Sequence, residues 1–478
     1  MADLLDFINN LMWDSVLVYL LLGTGIWFTA RSGFIQFRHF THLFTILHGA
    51  AAEDRSGISP FQALCISLAA RIGCGNLMGV ALALTLGGPG AIVWMWLAAM
   101  AGMATAFAES TLAQLYKVRD ADGNYRGGPA WYMAHGLGLR WMGVIFTLFM
   151  LCGYGGVFSS LQANAIAQSM ESLMGISRPV TGLALLALSA LLFISGMRFI
   201  SRLCQWLVPA MAMLYVLLAL WVMAAHAERL PDVAVLVLTS AFGFEPAASG
   251  IAGFAVAQAV FQGIQRGLFS NGAGMGSISN ISAAARAWPP HPASHGYIQM
   301  LSVFIDTLVI CGATAAIILT SGSLDRAGAD MQGFRLIQQS LLSVSGHWSV
   351  LFVTLAVFVF SFASIIGNYV CAESCLHFFR LHPRRLVPML RLTTLAMIMY
   401  GCLEEIPVLW QLANLTMGLM SLTNLIALLL LSHTVLMLAR DYNSQRGVGK
   451  LPTFYRANFP GIAAQLSPGM WEKPVITK

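Results

Sequence analysis

Eleven mainly apolar runs divide this chain of 478 residues, centred on Val16–Phe28, Phe61–Leu86, Ala91–Leu115, Met142–Ala165, Val180–Met197, Leu207–Ala225, Ile251–Ala284, Ile298–Thr320, Trp348–Phe379, Leu386–Tyr400 and Val408–Leu438. A helix needs about 20 such residues to cross the hydrocarbon of a bilayer. The pattern predicts an all-α polytopic membrane protein with about 11 transmembrane helices. Composition excludes the soluble alternatives. Hydrophobic residues make up 58% of the chain and charged residues 10%, with a mean hydropathy of +0.73, whereas soluble domains carry about 25% charged residues. Disorder, a collagen-like fibre and a small disulfide scaffold fail on the same grounds. The net charge of +6 does not point to nucleic acid, because no block of Lys and Arg interleaved with aromatics is present.

The basic residues orient the chain. With the amino terminus outside, 20 of the 26 Lys and Arg fall in cytoplasmic segments and only Arg178, Arg229, Arg326 and Arg335 fall outside. That asymmetry predicts an odd number of spans and a cytoplasmic carboxyl terminus. Asp3 and Asp6 precede the first run where a cleavable leader would be basic, so the run is expected to stay as a helix. The tail after Arg440 is polar and proline-containing, and is expected to be a poorly packed cytoplasmic extension.

Two runs are interrupted by glycine. One holds Gly73, Cys74, Gly75 and Asn76, and the other reads Ser270, Asn271, Gly272, Ala273, Gly274, Met275, Gly276, Ser277. Glycine weakens a helix by about 1 kcal/mol relative to alanine, and a broken span frees backbone groups that lipid cannot satisfy. With the first run set aside, the broken runs are the first and sixth of ten, and Gly75 and Gly274 lie 199 residues apart. Each opens a set of five, and sets of odd size enter the membrane from opposite sides. Paired interruptions of this kind point to a transporter site at mid-membrane. A dinucleotide loop is excluded, since Gly73, Gly75 and Gly79 space as GxGxxxG with no preceding strand. His291 and His295 lie in a proline-rich loop, not on a helix face, and the eight cysteines show no metal-ligand spacing.

The segments AARIGCGNLMGVA, LGGPGAIVWMW, RGGPAWYM, QANAIA, RGLFSN followed by AGMGS, and FIDTLVICGATA resemble the alanine or glycine:cation symporter family, the sodium:alanine symporters, and within it a proteobacterial branch. The likeness runs from about Trp13 to Leu438. It implies a leucine-transporter-type fold of two inverted five-helix repeats plus one extra amino-terminal helix. On that reading residues 1–440 form the transporter domain, with 1–50 as the extra helix and loop, 60–225 and 250–438 as the repeats, and 441–478 as a cytoplasmic tail. The implied function is sodium-coupled import of small neutral amino acids, alanine with glycine or serine of either hand, across the bacterial inner membrane. Sodium is the coupling ion, no cofactor is needed, and no protein or nucleic-acid partner is evident.

The chemistry of such cargo selects candidate residues. A half-helix amino terminus can hold the substrate carboxylate, and unwound carbonyls and hydroxyls can hold its ammonium and a sodium ion. Gly73, Cys74, Gly75 and Asn76 from the first break, Met275, Gly276 and Ser277 from the second, and Gln162 and Asn368 are the expected substrate contacts. Asn76 and Ser364 are the expected sodium ligands; Ser364 and Asn368 lie one helical turn apart. Two positions depart from the family. Relatives read SNEAG where this chain has Gly272, so an acidic side chain is missing, and many carry Trp where this chain has Asn368.

Ionisable side chains inside spans are costly and usually face a cavity or the bundle interior. Arg71, Arg266, Asp306, Glu109 and Glu373 qualify as gating or proton-linked residues; Asp306 is the deepest, Glu109 and Glu373 are expected to pair with loop arginines, and the two arginines precede the breaks. The alternative to sodium symport is a proton-coupled amino-acid transporter, followed by a transport-inactive amino-acid sensor. An enzyme is not expected, because no nucleophile–base pair or metal pair is visible within the spans.

Overall fold

A computed structural model of the protein describes residues 2–48, 58–120, 123–243, 251–324, 333–379, 383–404 and 406–472. The expected sites all fall within these segments, whereas the basic residues Arg55, Arg326, Arg380, Lys473 and Lys478 of the orientation argument lie outside them.

The apolar runs become helices whose ends follow local chemistry. The extra helix α1 (Phe7–Arg31) is followed by a first broken span, α2 (Pro60–Arg71) and α3 (Gly75–Gly87), bent by 56°. Ser59 starts α2 through a capping box with Gln62, and Pro60 fits the first turn because its missing N–H has no helical partner there. Then come α4 (Ala91–Leu115), α5 (Arg140–Met174), α6 (Arg178–Ser195) and α7 (Met197–Ala225). The second set repeats the pattern. Its broken span is α8 (Ile251–Asn271) and α9 (Ser279–Ala284), followed by α10 (Ala293–Ser321), α11 (His347–Leu376), α12 (Pro383–Leu403) and α13 (Ile406–Leu430).

Packing sorts these helices into two groups. α4 packs on both α8 and α10, while α5 packs on α11 and α12. Corresponding members of the two sets therefore occupy matching places. This is the leucine-transporter arrangement of two inverted five-helix repeats with one added helix. The added helix lies on α4 and α13, where Gly25 meets the Ala101 backbone and Trp13 Nε1 donates to the Asn414 carbonyl at 3.2 Å. The perimeter is apolar. Leu191, Trp206 and Leu392 are each more than 70% exposed, which suits lipid and not water.

The carboxyl-terminal region departs from expectation. The last run ends at Leu430, eight residues short of Leu438, and α14 (Ser432–Gly447) turns away as a helix of low hydropathy. The tail beyond it is docked, not loose. Phe454 N–H donates to the Pro290 carbonyl at 2.9 Å, Trp471 Nε1 donates to the Leu115 carbonyl at 3.2 Å, and Tyr116 donates to Gln465 at 2.8 Å. Phe454, Leu466 and Met470 are buried. His291 meets Asp441 at 3.0 Å. These aromatic anchors are irregularly spaced, so neither helical nor strand periodicity marks them.

Lys117, just past α4, is buried under this tail. Its ammonium donates to the Ala285 carbonyl at 3.2 Å and lies over the Tyr125 and Trp471 rings. Burial pushes its pKa down to about 7, with repulsion from Arg119 adding to the effect. A lysine in water titrates near about 10.4. Between these values the undocked state binds more protons than the docked one, so tail docking strengthens as pH rises through that window. Limited proteolysis of the tail, normalised to cleavage of a free tail peptide at each pH, is expected to slow between pH 7 and 9. Lys117→Met should flatten that dependence.

Candidate functional site

The two breaks face each other across one small cavity. After α2 the chain leaves the helix at Ile72, which is extended, and resumes as a π-helical turn at Gly75–Gly79. Such turns recur at functional positions. Gln162 on α5 accepts from Cys74 N–H at 2.7 Å, and Asn76 Oδ1 accepts from Gly73 N–H at 3.0 Å. A methyl at Gly73 would sit 2.7 Å from the Gln162 amide. The second break turns on Gly272, Gly274 and Gly276, with φ of 61°, 92° and 75°. Other L-residues adopt that region at a cost of about 1–2 kcal/mol. At Gly276 a Cβ would also meet Pro129 at 2.6 Å.

Arg71, Gly75, Gln162, Met275, Ser364 and Asn368 line the cavity, drawn from α2, α3, the second break, α5 and α11. Three further walls, Tyr154, Phe158 and Phe269, carry no mark in the sequence beyond an aromatic on an apolar helix. The cavity offers about 20 Å³ for the centres of water-sized particles, roughly the need of one ordered water. This is a contracted state, and an amino acid requires its walls to part. The buried unpartnered atoms on its lining are Nε and Nη1 of Arg71 and Nδ2 of Asn368, all donors. Arg71 makes one long contact, 3.5 Å to Gln299.

The other expected residues sit around this cavity. Asn76 turns away from it and donates to Asp306 Oδ1 at 2.7 Å. Asp306 Oδ2 accepts from Ser270 at 2.7 Å and Thr307 at 2.8 Å. One carboxylate thus joins both breaks, and it is fully buried. No ion pair among the described residues involves it. Ser277 donates to Tyr154 at 2.7 Å.

Among the described residues Glu109 pairs with no loop arginine, contrary to expectation. It accepts from Asn424 at 2.9 Å and from the N–H groups of Gly274 and Gly276. Asn424, missed in the sequence, also donates to the Gly274 carbonyl at 2.9 Å and accepts from Tyr132. A carboxylate from α4 therefore serves the second break, in a chain whose own position 272 is glycine. Arg266 pairs with no acid among the described residues, and its guanidinium covers the Trp410 ring at 4.5 Å. Glu373 lies apart, beside Tyr369 and Arg391.

Two half-helical breaks from inverted repeats, facing one polar cavity inside a bundle of membrane-crossing helices, define a secondary transporter. The chain belongs to the sodium:alanine symporter family, whose profile matches residues 1–456. It is 48% identical to the uncharacterized transporter YaaJ of Escherichia coli over 99% of both chains. It is 44% identical to the probable sodium/glutamine symporter GlnT of Bacillus subtilis, over 94% of this chain and 92% of that one. Identity to the sodium/alanine symporter AgcS of Methanococcus maripaludis is 33%, over 93% and 98%. Among solved structures, the Eremococcus coleocola manganese transporter shares the fold, with a TM-score of 0.50 at 14% identity over 87% of each chain. The family is one of transporters, not enzymes, and supports cation-coupled amino-acid symport.

The glycines of the breaks can be tested directly. Gly73→Ala and Gly276→Ala are each expected to reduce amino-acid uptake at least tenfold in proteoliposomes, normalised to folded protein. Gly23→Ala, where a Cβ meets nothing within 4 Å, should stay within twofold of wild type.

Proposed function

We propose that the protein is a sodium-coupled symporter that imports small neutral amino acids, alanine foremost, by alternating access in the bacterial inner membrane, with its amino terminus outside and its carboxyl terminus in the cytoplasm. The observation that carries this reading is the Asp306 carboxylate, which meets both breaks at hydrogen-bonding distance. A buried, unpaired carboxylate is costly in a low-dielectric interior. Sodium lowers that cost, and Asp306, Ser270 and Thr307 offer it hard oxygens. Binding there favours the conformation in which the breaks are aligned, which is the linkage that coupling requires.

The cavity complements the substrate. Donors from Arg71 and Asn368 suit a carboxylate, and the faces of Phe158 and Phe269 with the Tyr154 hydroxyl suit an ammonium. Ser364 is placed with the substrate in this reading, because it lines the same cavity as the free donors of Arg71 and Asn368. The residues 60–225 and 250–438 are the two repeats that rock against each other in this scheme.

Proteoliposomes with a sodium gradient and no proton gradient should accumulate labelled alanine, and competition by glycine, serine and glutamine of both hands ranks the substrates. No sodium-driven accumulation of any of them would overturn the reading. Uptake driven only by a proton gradient would transfer Asp306 to the proton-coupled alternative. Asp306→Asn is expected to abolish sodium stimulation, whereas Ser364→Ala should raise the KM for alanine and leave the sodium activation curve in place.

A further inference from the structure

The turn between α13 and α14 shapes a recess beside the end of α1. α13 stops at Leu430 and α14 starts at Ser432. His433, Leu436, Met437 and Arg440 of α14 fall at positions i, i+3, i+4 and i+7, and Trp27 and Arg31 of α1 fall at i and i+4. Each set is therefore one face of its helix. The two faces border a volume of about 280 Å³, far larger than the inner cavity.

The surrounding surface sets the depth of this recess in the bilayer. Ile26 on α1 and Ile426 and Leu430 on α13 are exposed apolar side chains, as suits helices that face lipid. Past them the surface changes character. Trp27 is half exposed, and Arg31, His433 and Arg440 are exposed. Tryptophan followed by basic residues marks the headgroup level of a membrane interface.

The charge here is uncompensated. No acidic side chain lines the recess, and no ion pair among the described residues involves Arg31, His433 or Arg440. Asp441, next to Arg440 in the chain, is held by His291 at 3.0 Å and by Gln445 at 2.9 Å. The Arg31 guanidinium lies over the Trp27 ring at 5.3 Å, a contact that supplies no oxygen acceptor. Two guanidiniums without a carboxylate, beside the apolar Leu436 and Met437, complement a phosphodiester that carries acyl chains. They repel the positive group of a zwitterionic headgroup.

We propose that this recess binds the headgroup of an anionic phospholipid, with Arg31 and Arg440 on the phosphodiester and the acyl chains along the apolar surface of α1 and α13. A lipid held there joins the extra helix to α14, the helix that leads into the docked tail. Burial of the acyl chains separates such a lipid from free phosphate, which shares the charge but not the apolar surface.

Full-length protein in detergent micelles is titrated with phosphatidylglycerol, and bound lipid is counted by native mass spectrometry. Arg31→Gln combined with Arg440→Gln is expected to weaken the tightest binding at least tenfold, whereas Arg202→Gln, at an exposed arginine elsewhere, should change it less than twofold. Arg31→Lys with Arg440→Lys keeps the charge and should lose no more than threefold. For the wild type, phosphatidylcholine should bind at least tenfold more weakly than phosphatidylglycerol, and tens of millimolar inorganic phosphate should leave the lipid in place. Unchanged binding by the folded double glutamine variant, or an equal loss in Arg202→Gln, would overturn the proposal. Equal binding of the two lipids would overturn the anionic assignment, and displacement by phosphate would replace the lipid with a free anion. The two wild-type comparisons decide the matter if the double glutamine variant does not fold, as judged by its thermal unfolding midpoint. None of these readouts depends on transport.

Discussion

The Asp306 carboxylate is the contact on which the rest of this molecule depends. It accepts from Asn76 in one interrupted helix and from Ser270 at the edge of the other, so the two breaks are positioned by a single group. A break in a membrane helix leaves backbone and side-chain polar groups that lipid cannot satisfy. Here they satisfy one another across the repeat interface. Glu109 does the same on the far side of the second break, through Asn424 and the glycine N–H groups. Two buried acids thus hold open backbone in place, and neither is part of an ion pair among the described residues.

This arrangement separates charge over a short distance. The carboxylate of Asp306 lies beside the breaks, while the guanidinium of Arg71 lines the cavity with free donors. In the proposed cycle a cation goes to the first and the substrate's carboxylate to the second.

Much of this was legible in the sequence, for reasons that differ from residue to residue. Gly73, Gly75, Gly274 and Gly276 stood out because glycine in an apolar run is conformationally expensive without a purpose. Arg71 and Asp306 stood out because charge in a span is expensive. Gln162, Ser364 and Asn368 came from the family resemblance, and the structure brings all three to one cavity. Phe158 and Phe269 left no signal, since an aromatic on an apolar helix is more often packing than a site. The docked tail was hidden for another reason, because Phe454 and Trp471 bind as isolated anchors with no period between them.

The sequence alone determined that the chain lives in a bilayer, that it is built from helices, and that two of them are broken at matching places. These are consequences of local cost: unsatisfied backbone, buried charge and glycine entropy act on a few neighbouring residues at a time. Only the tertiary structure decided which groups meet. Asn76 and Asp306 are 230 residues apart, and Glu109 and Asn424 are 315 apart. No local pattern encodes such pairs, because the energy that selects them arises only after the helices have packed and water has been excluded from between them.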